Sequence, residues 1–344
     1  MKLVDTFLFS EPHEADVLWV KLNVESHVFH EWVVVENSYT MQGQYKGYFF
    51  KDIVNTDERF CEFLDKIHVV ESDIKPEVDG KESNSVYNEP AELERAQRCM
   101  AVQYLLDKYS DDDCVMISDV DECLDTESDK RRKLLFEKIQ TGQDLILLPR
   151  IRYWFDYDNR WLVRRCVPLV TIRQIKKDNR IYHYRKKWLG TPVVWRHEMV
   201  FEYSYCFTKH GIMRKYQTFA HTGYMKEDID RALILNCVPV PKNTPGKKHR
   251  AYEKWFVKRN LNSRNSPEFV RKNIDYLQTG VISKNYAQNR MKEYPKVFPR
   301  NPFRRLQRAI CLYKDLYGYI LWENSNAYKH AYNGLHAIKN KMRS

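Results

Sequence analysis

The sequence predicts an α/β protein with a mostly parallel central sheet. Short apolar runs alternate with amphipathic stretches from the first residues to about residue 150. The runs are apolar at successive positions, as in strands covered on both faces. Glycine is scarce, at 11 of 344 residues, which argues against collagen-like, glycine-linker and multi-phosphate-loop architectures.

The elements follow in order. Leu3 to Phe9 reads as the first strand, and Ser10 as the cap of a helix from about Pro12 to Glu25, with Ala15, Leu18, Trp19 and Leu22 on one face. Trp32-Val33-Val34-Val35 is a second strand. A helix over about 57–66 leads into a third, Ile67-His68-Val69-Val70. A polar stretch, 72–88, reads as a surface loop. One long helix, about Pro90 to Tyr109, precedes the strand Cys114-Val115-Met116-Ile117. A helix over about 128–140 precedes Leu145-Ile146-Leu147-Leu148. From about 150 to 225 the pattern becomes short aromatic and β-branched runs, which predict antiparallel additions to the sheet. Residues 239–248 carry three prolines and read as a linker, so the chain divides into a catalytic portion, 1–238, and a basic, mainly helical extension, 239–344.

Charge is unevenly distributed. Residues 1–130 hold 12 Lys/Arg against 30 Asp/Glu, and the remainder holds 45 against 16. Acidic clusters suit metal cations; basic surfaces suit phosphates and anionic headgroups. No apolar run approaches the ~20 residues needed to cross a bilayer. The first residues do not read as a signal peptide, since Asp5 falls where an apolar segment is expected. The eight cysteines include no Cys-x-x-Cys pair, which excludes the commonest zinc and redox motifs and fits reduced thiols. The expected location is cytoplasmic, with peripheral membrane contact open to the basic extension.

The sharpest local feature is Ile117-Ser118-Asp119-Val120-Asp121-Glu122. Two aspartates, one residue apart, stand where a buried strand ends. In extended chain they point the same way. At the carboxyl edge of a parallel sheet they face the ligand crevice. Paired hard oxygens suit Mg²⁺ or Mn²⁺ better than zinc. An acidic loop or helix start is the bland alternative. Two enzyme classes use such a pair: metal-dependent nucleotide-sugar glycosyltransferases and haloacid-dehalogenase-like phosphatases. The second expects Thr or Val at the fifth position, where Cys123 stands, and a downstream Gly-Asp-x-x-x-Asp that is lacking.

Several further blocks, taken with this motif, resemble glycosyltransferase family 17. They are Val4-Asp5-Thr6-Phe7 with Glu14 and Leu22-Asn23; Trp32 to Glu36 with Thr40 and Gly43; Lys66 to Val70; and Glu94-Arg95-Ala96-Gln97-Arg98. Tyr182-His183-Tyr184, Trp188, Gly190-Thr191, Ser204 to Phe207 and Phe219-Ala220-His221 continue the series, so the resemblance covers about residues 3–225. It departs where the family often has Gly-Trp-His and this chain has Val200-Phe201-Glu202.

The resemblance implies a GT-A-type fold and an inverting transfer from a nucleotide-diphosphate sugar, UDP-N-acetylglucosamine by default, to a hydroxyl of a glycan or glycolipid. It implies Asp121 as the direct metal ligand and Asp119 as a contact to ribose or metal-bound water. Glu122 would orient either by hydrogen bonding. His221 is a candidate third metal ligand or a core histidine. Glu202, then Glu198, are candidate general bases, or carboxylates paired with Arg196 or Lys215. Arg98 or Arg95 could fork onto a phosphate, or lie on a salt-bridged helix face. Glu36 faces the nucleotide or caps a turn. Trp188, Trp195, Tyr203 and Tyr205 could stack on sugar rings, though most aromatics must be core.

The basic extension concentrates charge at Lys247, Lys248, His249, Arg250, Lys254, Lys258 and Arg259, and again at Arg304, Arg305 and Arg308 before an apolar-aromatic run. It could lie on an anionic membrane or pack on the catalytic portion. No motif for specific nucleic-acid recognition supports that partner. The rival in a different class is a basic membrane- or nucleic-acid-binding protein with a decayed catalytic site.

Overall fold

The structure, a computed structural model, describes residues 1–75, 89–154, 157, 159–186, 191–192, 199–219, 256–258 and 266–279. Its centre is a ten-stranded mixed sheet. The first half is parallel. Strand β1 (Leu3–Phe9) lies between β2 (Phe29–Asn37) and β4 (Cys114–Ile117), and β3 (Ile67–Ser72) lies outside β2. Asp5 sits in register with Trp32 on one side and Met116 on the other.

Crossover segments cover both faces, as parallel connections require. A 3₁₀ turn (Pro12–Glu14) and helix α1 (Ala15–Glu25) join β1 to β2. Helix α2 (Phe50–Thr56) and a 3₁₀ segment (Glu58–Lys66) join β2 to β3. The long helix expected over 90–109 is two helices, α3 (Glu89–Cys99) and α4 (Val102–Lys108). Alternate residues of β1 enter two separate cores. Leu3, Phe7 and Phe9 pack with α1. Val4 and Leu8 pack with α4.

The second half is largely antiparallel, as the aromatic runs after residue 150 predict. Strand β7 (Asn159–Thr171) runs against β4 and β6 (Leu145–Trp154). Strand β9 (Val200–Ser204) pairs with β6 in parallel and with the short β5 (Glu122–Leu124) antiparallel. Strand β8 (Thr191–Pro192) pairs with β6. Helices α5 (Asp129–Ile139), α6 (Ile172–Lys177), α7 (Tyr182–Lys186) and α8 (Lys209–Thr218) complete this half. Within the region read as an extension, β10 (Phe256–Lys258) adds to β7. Helices α9 (Glu268–Lys272) and α10 (Ile274–Thr279) reach α1, where Trp19 meets Phe269 and Tyr276 edge-on. Of the basic clusters, only Lys258 falls among the described residues.

The order β3-β2-β1-β4 places a topological switch point between β1 and β4. The chain builds outward from β1 to β3, then returns to the other side of β1. In open α/β sheets, ligands bind beyond the strand ends at such a point.

Candidate active site

Strand β4 ends at Ile117, and the Asp-Val-Asp turn follows at the switch point. The Ser118 amide donates to the Thr6 carbonyl at 3.0 Å, which ties the turn to β1. Strand β5 begins immediately, at Glu122. Two sheet pairings therefore hold a turn of four residues from both ends.

Asp119 projects between two guanidiniums. Arg98 of α3 bonds one carboxylate oxygen and donates to the Ser118 carbonyl at 2.7 Å. Arg185 of α7 bonds the other oxygen at 2.5 Å and the Ile117 carbonyl at 2.9 Å. Burial raises the proton affinity of Asp119, but Arg185, Arg98 and Arg150 outweigh it and hold its carboxyl well below the usual carboxylate range. About a third of the Asp119 side chain, 34%, is exposed.

Asp121 is almost buried, at 6% exposure. Its cationic partner is Lys215 of α8, with the ammonium 3.5 Å from Oδ2. Burial raises its carboxyl above the usual range. Lys215 opposes this, and Glu202 and Asp119 add to it. Lys215 also lies 3.6 Å from Glu14, the carboxylate that caps the turn after β1. Its ammonium faces the rings of Tyr205, Phe207 and Phe219 at 5.3, 5.0 and 5.6 Å. Tyr205 holds a left-handed φ of 57°, the one non-glycine residue with positive φ among those described. Such a backbone costs about 1–3 kcal/mol and clusters at functional sites. Here it stacks the ring on Tyr216 at 5.0 Å.

Beneath the turn lies a buried ionic layer. Glu122 and Glu202 are direct cross-strand neighbours, an arrangement of like charges that needs compensation. Arg150 supplies it by bonding both carboxylates. Arg152 adds a contact to Glu202 at 2.6 Å, and Arg185 a contact to Glu122 at 2.7 Å. The Ser204 hydroxyl donates to Glu202 at 2.5 Å. Burial raises Glu202, but Arg150 and Arg152 prevail and lower it. That environment suits an ionised, paired carboxylate, the alternative role that the sequence leaves open, with Arg150 and Arg152 as its partners. Glu122 accepts from the Asp119 amide at 2.8 Å and so shapes the turn itself.

A second buried group braces the turn from the α1 side. Lys21 is fully buried. It pairs with Asp5 and Glu25 and donates to the Ser118 hydroxyl at 3.0 Å and to the Glu122 carbonyl. Ser118 in turn donates to Asp5 at 2.8 Å. Nothing in the local sequence marks Lys21, which has the spacing of an ordinary helix lysine.

Other sequence candidates take different places. Glu36 is fully buried and accepts from the Phe49 and Phe50 amides at 2.8 and 3.0 Å and from Lys46 at 3.3 Å. It braces the start of α2, as the turn-capping alternative expects. Arg95 bonds Glu92 and lies 5.2 Å from the centre of the Tyr182 ring, as the salt-bridged helix face expects. The Arg98 fork is occupied by Asp119 and Ser118. Tyr203 is core, stacked on Tyr153. Glu198, Arg196, Trp188, Trp195 and His221 lie outside the described residues.

The chain matches the family profile of glycosyltransferase family 17 over residues 1–232. It belongs to that family. No curated protein matches it. As a family 17 member it is a glycosyltransferase, which uses a nucleotide-sugar donor and an acceptor. Among the described residues no helix is long and apolar enough to cross a membrane.

A divalent ion would need hard oxygen donors here. Among the described residues no three His, Cys, Asp or Glu side chains form a ready metal cluster. Asp119 and Asp121 do supply two carboxylates on one short turn. The Lys215 ammonium beside Asp121 shows that positive charge is favoured at that oxygen. The donor chemistry therefore fits Mg²⁺ or Mn²⁺.

Proposed function

We propose that this family 17 chain is a metal-dependent, inverting glycosyltransferase of the GT-A type. It would move a sugar, N-acetylglucosamine by default, from a UDP-sugar to a hydroxyl of a glycan or glycolipid. The observation that carries this is the Asp119-Val120-Asp121 turn, fixed at the switch point and ringed by Arg98, Arg185 and Lys215.

Asp121 would hold Mn²⁺ or Mg²⁺ directly, with Asp119 bound to ribose or to a metal-bound water and His221 as a further ligand. When bound, the ion offsets charge on the departing diphosphate. The protein's own groups do the rest. Arg98 and Arg185 keep Asp119 ionised and aimed. Lys215, 3.5 Å from Asp121, adds positive charge where the diphosphate leaves. The acceptor oxygen attacks the anomeric carbon opposite the diphosphate, the bond from that carbon to the phosphate oxygen breaks, and a base takes the hydroxyl proton. With Glu202 held by two arginines, Glu198 becomes the base to test first.

The test is nucleotide release from UDP-, GDP- and CMP-sugars in Mn²⁺ or EDTA, beside Asp121→Asn. Mn²⁺-dependent release from one donor, lost in the variant, is the expected result. Absence of both release and UDP binding in the wild type would overturn the reading.

A further inference from the structure

The cations around the turn are not held alike. Lys21 is gripped closely, by Asp5, by the Ser118 hydroxyl at 3.0 Å and by Glu25 at 3.1 Å. Arg98 and Arg185 each bond a backbone carbonyl of the turn besides Asp119, at 2.7 and 2.9 Å. Lys215 is held loosely. Its carboxylate neighbours, Asp121 and Glu14, stand at 3.5 and 3.6 Å, beyond the usual range of about 2.7–3.2 Å for an N–H donor. Yet its side chain is only 11% exposed, and the rings of Tyr205, Phe207 and Phe219 face the ammonium.

The base of that side chain is fixed while its head is loose. Helix α8 packs so closely on the turn after β1 that a side-chain carbon at Gly211 would stand 3.0 Å from Cβ of His13. At the other end of the helix the Gln42 amide donates to the Tyr216 and Phe219 carbonyls, at 3.2 and 3.0 Å. Lysine carries its charge on a flexible four-carbon stem, so the ammonium can move while the helix stays. Asp121, Glu14 and Lys215 together leave one negative charge. A divalent ion on Asp121 would turn that into one positive charge and set two cations side by side. Away from bulk water they would repel strongly, and a diphosphate would attract both.

We propose that Lys215 is a built-in counter-ion of the metal site. Its ammonium pairs with Asp121 while no divalent ion is present, gives way when one binds that carboxylate, and turns to the donor diphosphate. This rests on the metal-dependent reading above. The ammonium then opposes metal binding in the absence of donor and favours donor binding once the metal is in place. Metal and nucleotide bind with positive coupling, and this one side chain carries much of it. A merely structural lysine would do neither, since it would keep its place whatever binds Asp121.

The test measures Mn²⁺ binding to the full chain by calorimetry, with and without UDP, for wild type and Lys215→Met. Without UDP the variant should bind Mn²⁺ about tenfold or more tighter, and the gain in Mn²⁺ affinity that UDP brings should shrink by a similar factor. Unchanged or weaker Mn²⁺ binding in the variant, or an undiminished gain with UDP, would overturn the proposal. The wild type gives a second reading that needs no variant. Acetylation of Lys215 by acetic anhydride, read by mass spectrometry against the exposed Lys51, should rise severalfold in Mn²⁺ alone and fall again in Mn²⁺ with UDP. Equal acetylation in all three states would overturn the proposal as well. A wild type that binds no Mn²⁺, with or without UDP, would instead sink the metal reading, and this proposal with it.

Discussion

Replacing Lys21 by methionine tests the buried brace behind the Asp119–Asp121 turn. Methionine keeps most of the side chain's reach and apolar stem but removes the ammonium. In the wild type that ammonium faces Asp5, Glu25 at 3.1 Å, the Ser118 hydroxyl at 3.0 Å and the Glu122 carbonyl. All of these groups are fully buried. Removing one member of a buried ion network leaves the others uncompensated and costs about 3–5 kcal/mol. For a protein of this size that lowers the melting temperature by on the order of 10 °C. The loss should depend on pH with a definite sign. Burial already raises both carboxyls, Glu25 to about 8, against the opposing pull of Lys21. Without Lys21 they rise further, so the folded state holds protons the unfolded state has released. Stability of the variant then falls as pH increases from about 5 to 8 and recovers on acidification. Urea denaturation of both proteins at pH 5.5 and 8 measures this. A loss under about 1 kcal/mol, or one equal at both pH values, would refute the uncompensated-charge argument. Adding Asp5→Asn to Lys21→Met should restore part of the stability, since the double variant removes a charge that the single variant strands.

Three further outcomes follow from the same geometry. Glu202→Gln should lower the melting temperature yet keep kcat within about tenfold, whereas Glu198→Gln should lose on the order of 10²–10⁴-fold; the reverse pattern in steady-state kinetics would reinstate Glu202 as the base. Glu36→Gln should cost about 1–3 kcal/mol in urea denaturation through the lost cap and Lys46 pairing, with UDP affinity unchanged by calorimetry. His13 is held down to about 3 by burial, with Lys215 and Arg214 adding to it, so the folded state keeps it neutral while the unfolded chain takes a proton below its ordinary 6.5. Its contribution is present above that value and lost as pH falls. His13→Phe should flatten the acid limb of a melting-temperature profile between about pH 6.5 and 5, and an unchanged limb would count against the assignment.

The parallel half of the fold is legible because buried strands leave a local signature. Leu3–Phe9 and Cys114–Ile117 have the same bounds in sequence and structure, since a short, mainly apolar run suits a strand covered on both faces, and only Asp5 and Thr6 interrupt the first. Helix boundaries are less legible. The segment 90–109 reads as one helix but breaks at Met100, and Glu58–Lys66 is a 3₁₀ segment, a distinction that the periodicity of apolar residues scarcely encodes. Strand β5 leaves no signature, because Glu122-Cys123-Leu124 is too short to show alternation and begins with a charge.

At the site, the carboxylates are legible and their cations are not. Asp119 and Asp121 announce themselves as a pair at a strand end. Lys21 and Arg185 stand on helices with no local mark to single them out, and Lys215 enters the sequence reading only as a partner of Glu202 or Glu198, not of Asp121; long-range packing selects them, and Lys21 and Ser118 are 97 residues apart in the chain. One sequence-wide signal does bear on them. The acidic first third carries Asp119, Asp121 and Glu122, and the basic remainder supplies Arg150, Arg152, Arg185 and Lys215. Arg98 and Lys21 are the exceptions, cations from the acidic part. A charge asymmetry that suggests separate metal-binding and anion-binding surfaces is thus spent in part inside a single site. Cations from β6, α7 and α8 fold onto acids at the end of β4. A turn so densely neutralised can remain ionised in a largely buried crevice and still keep Asp119 partly open to a ligand.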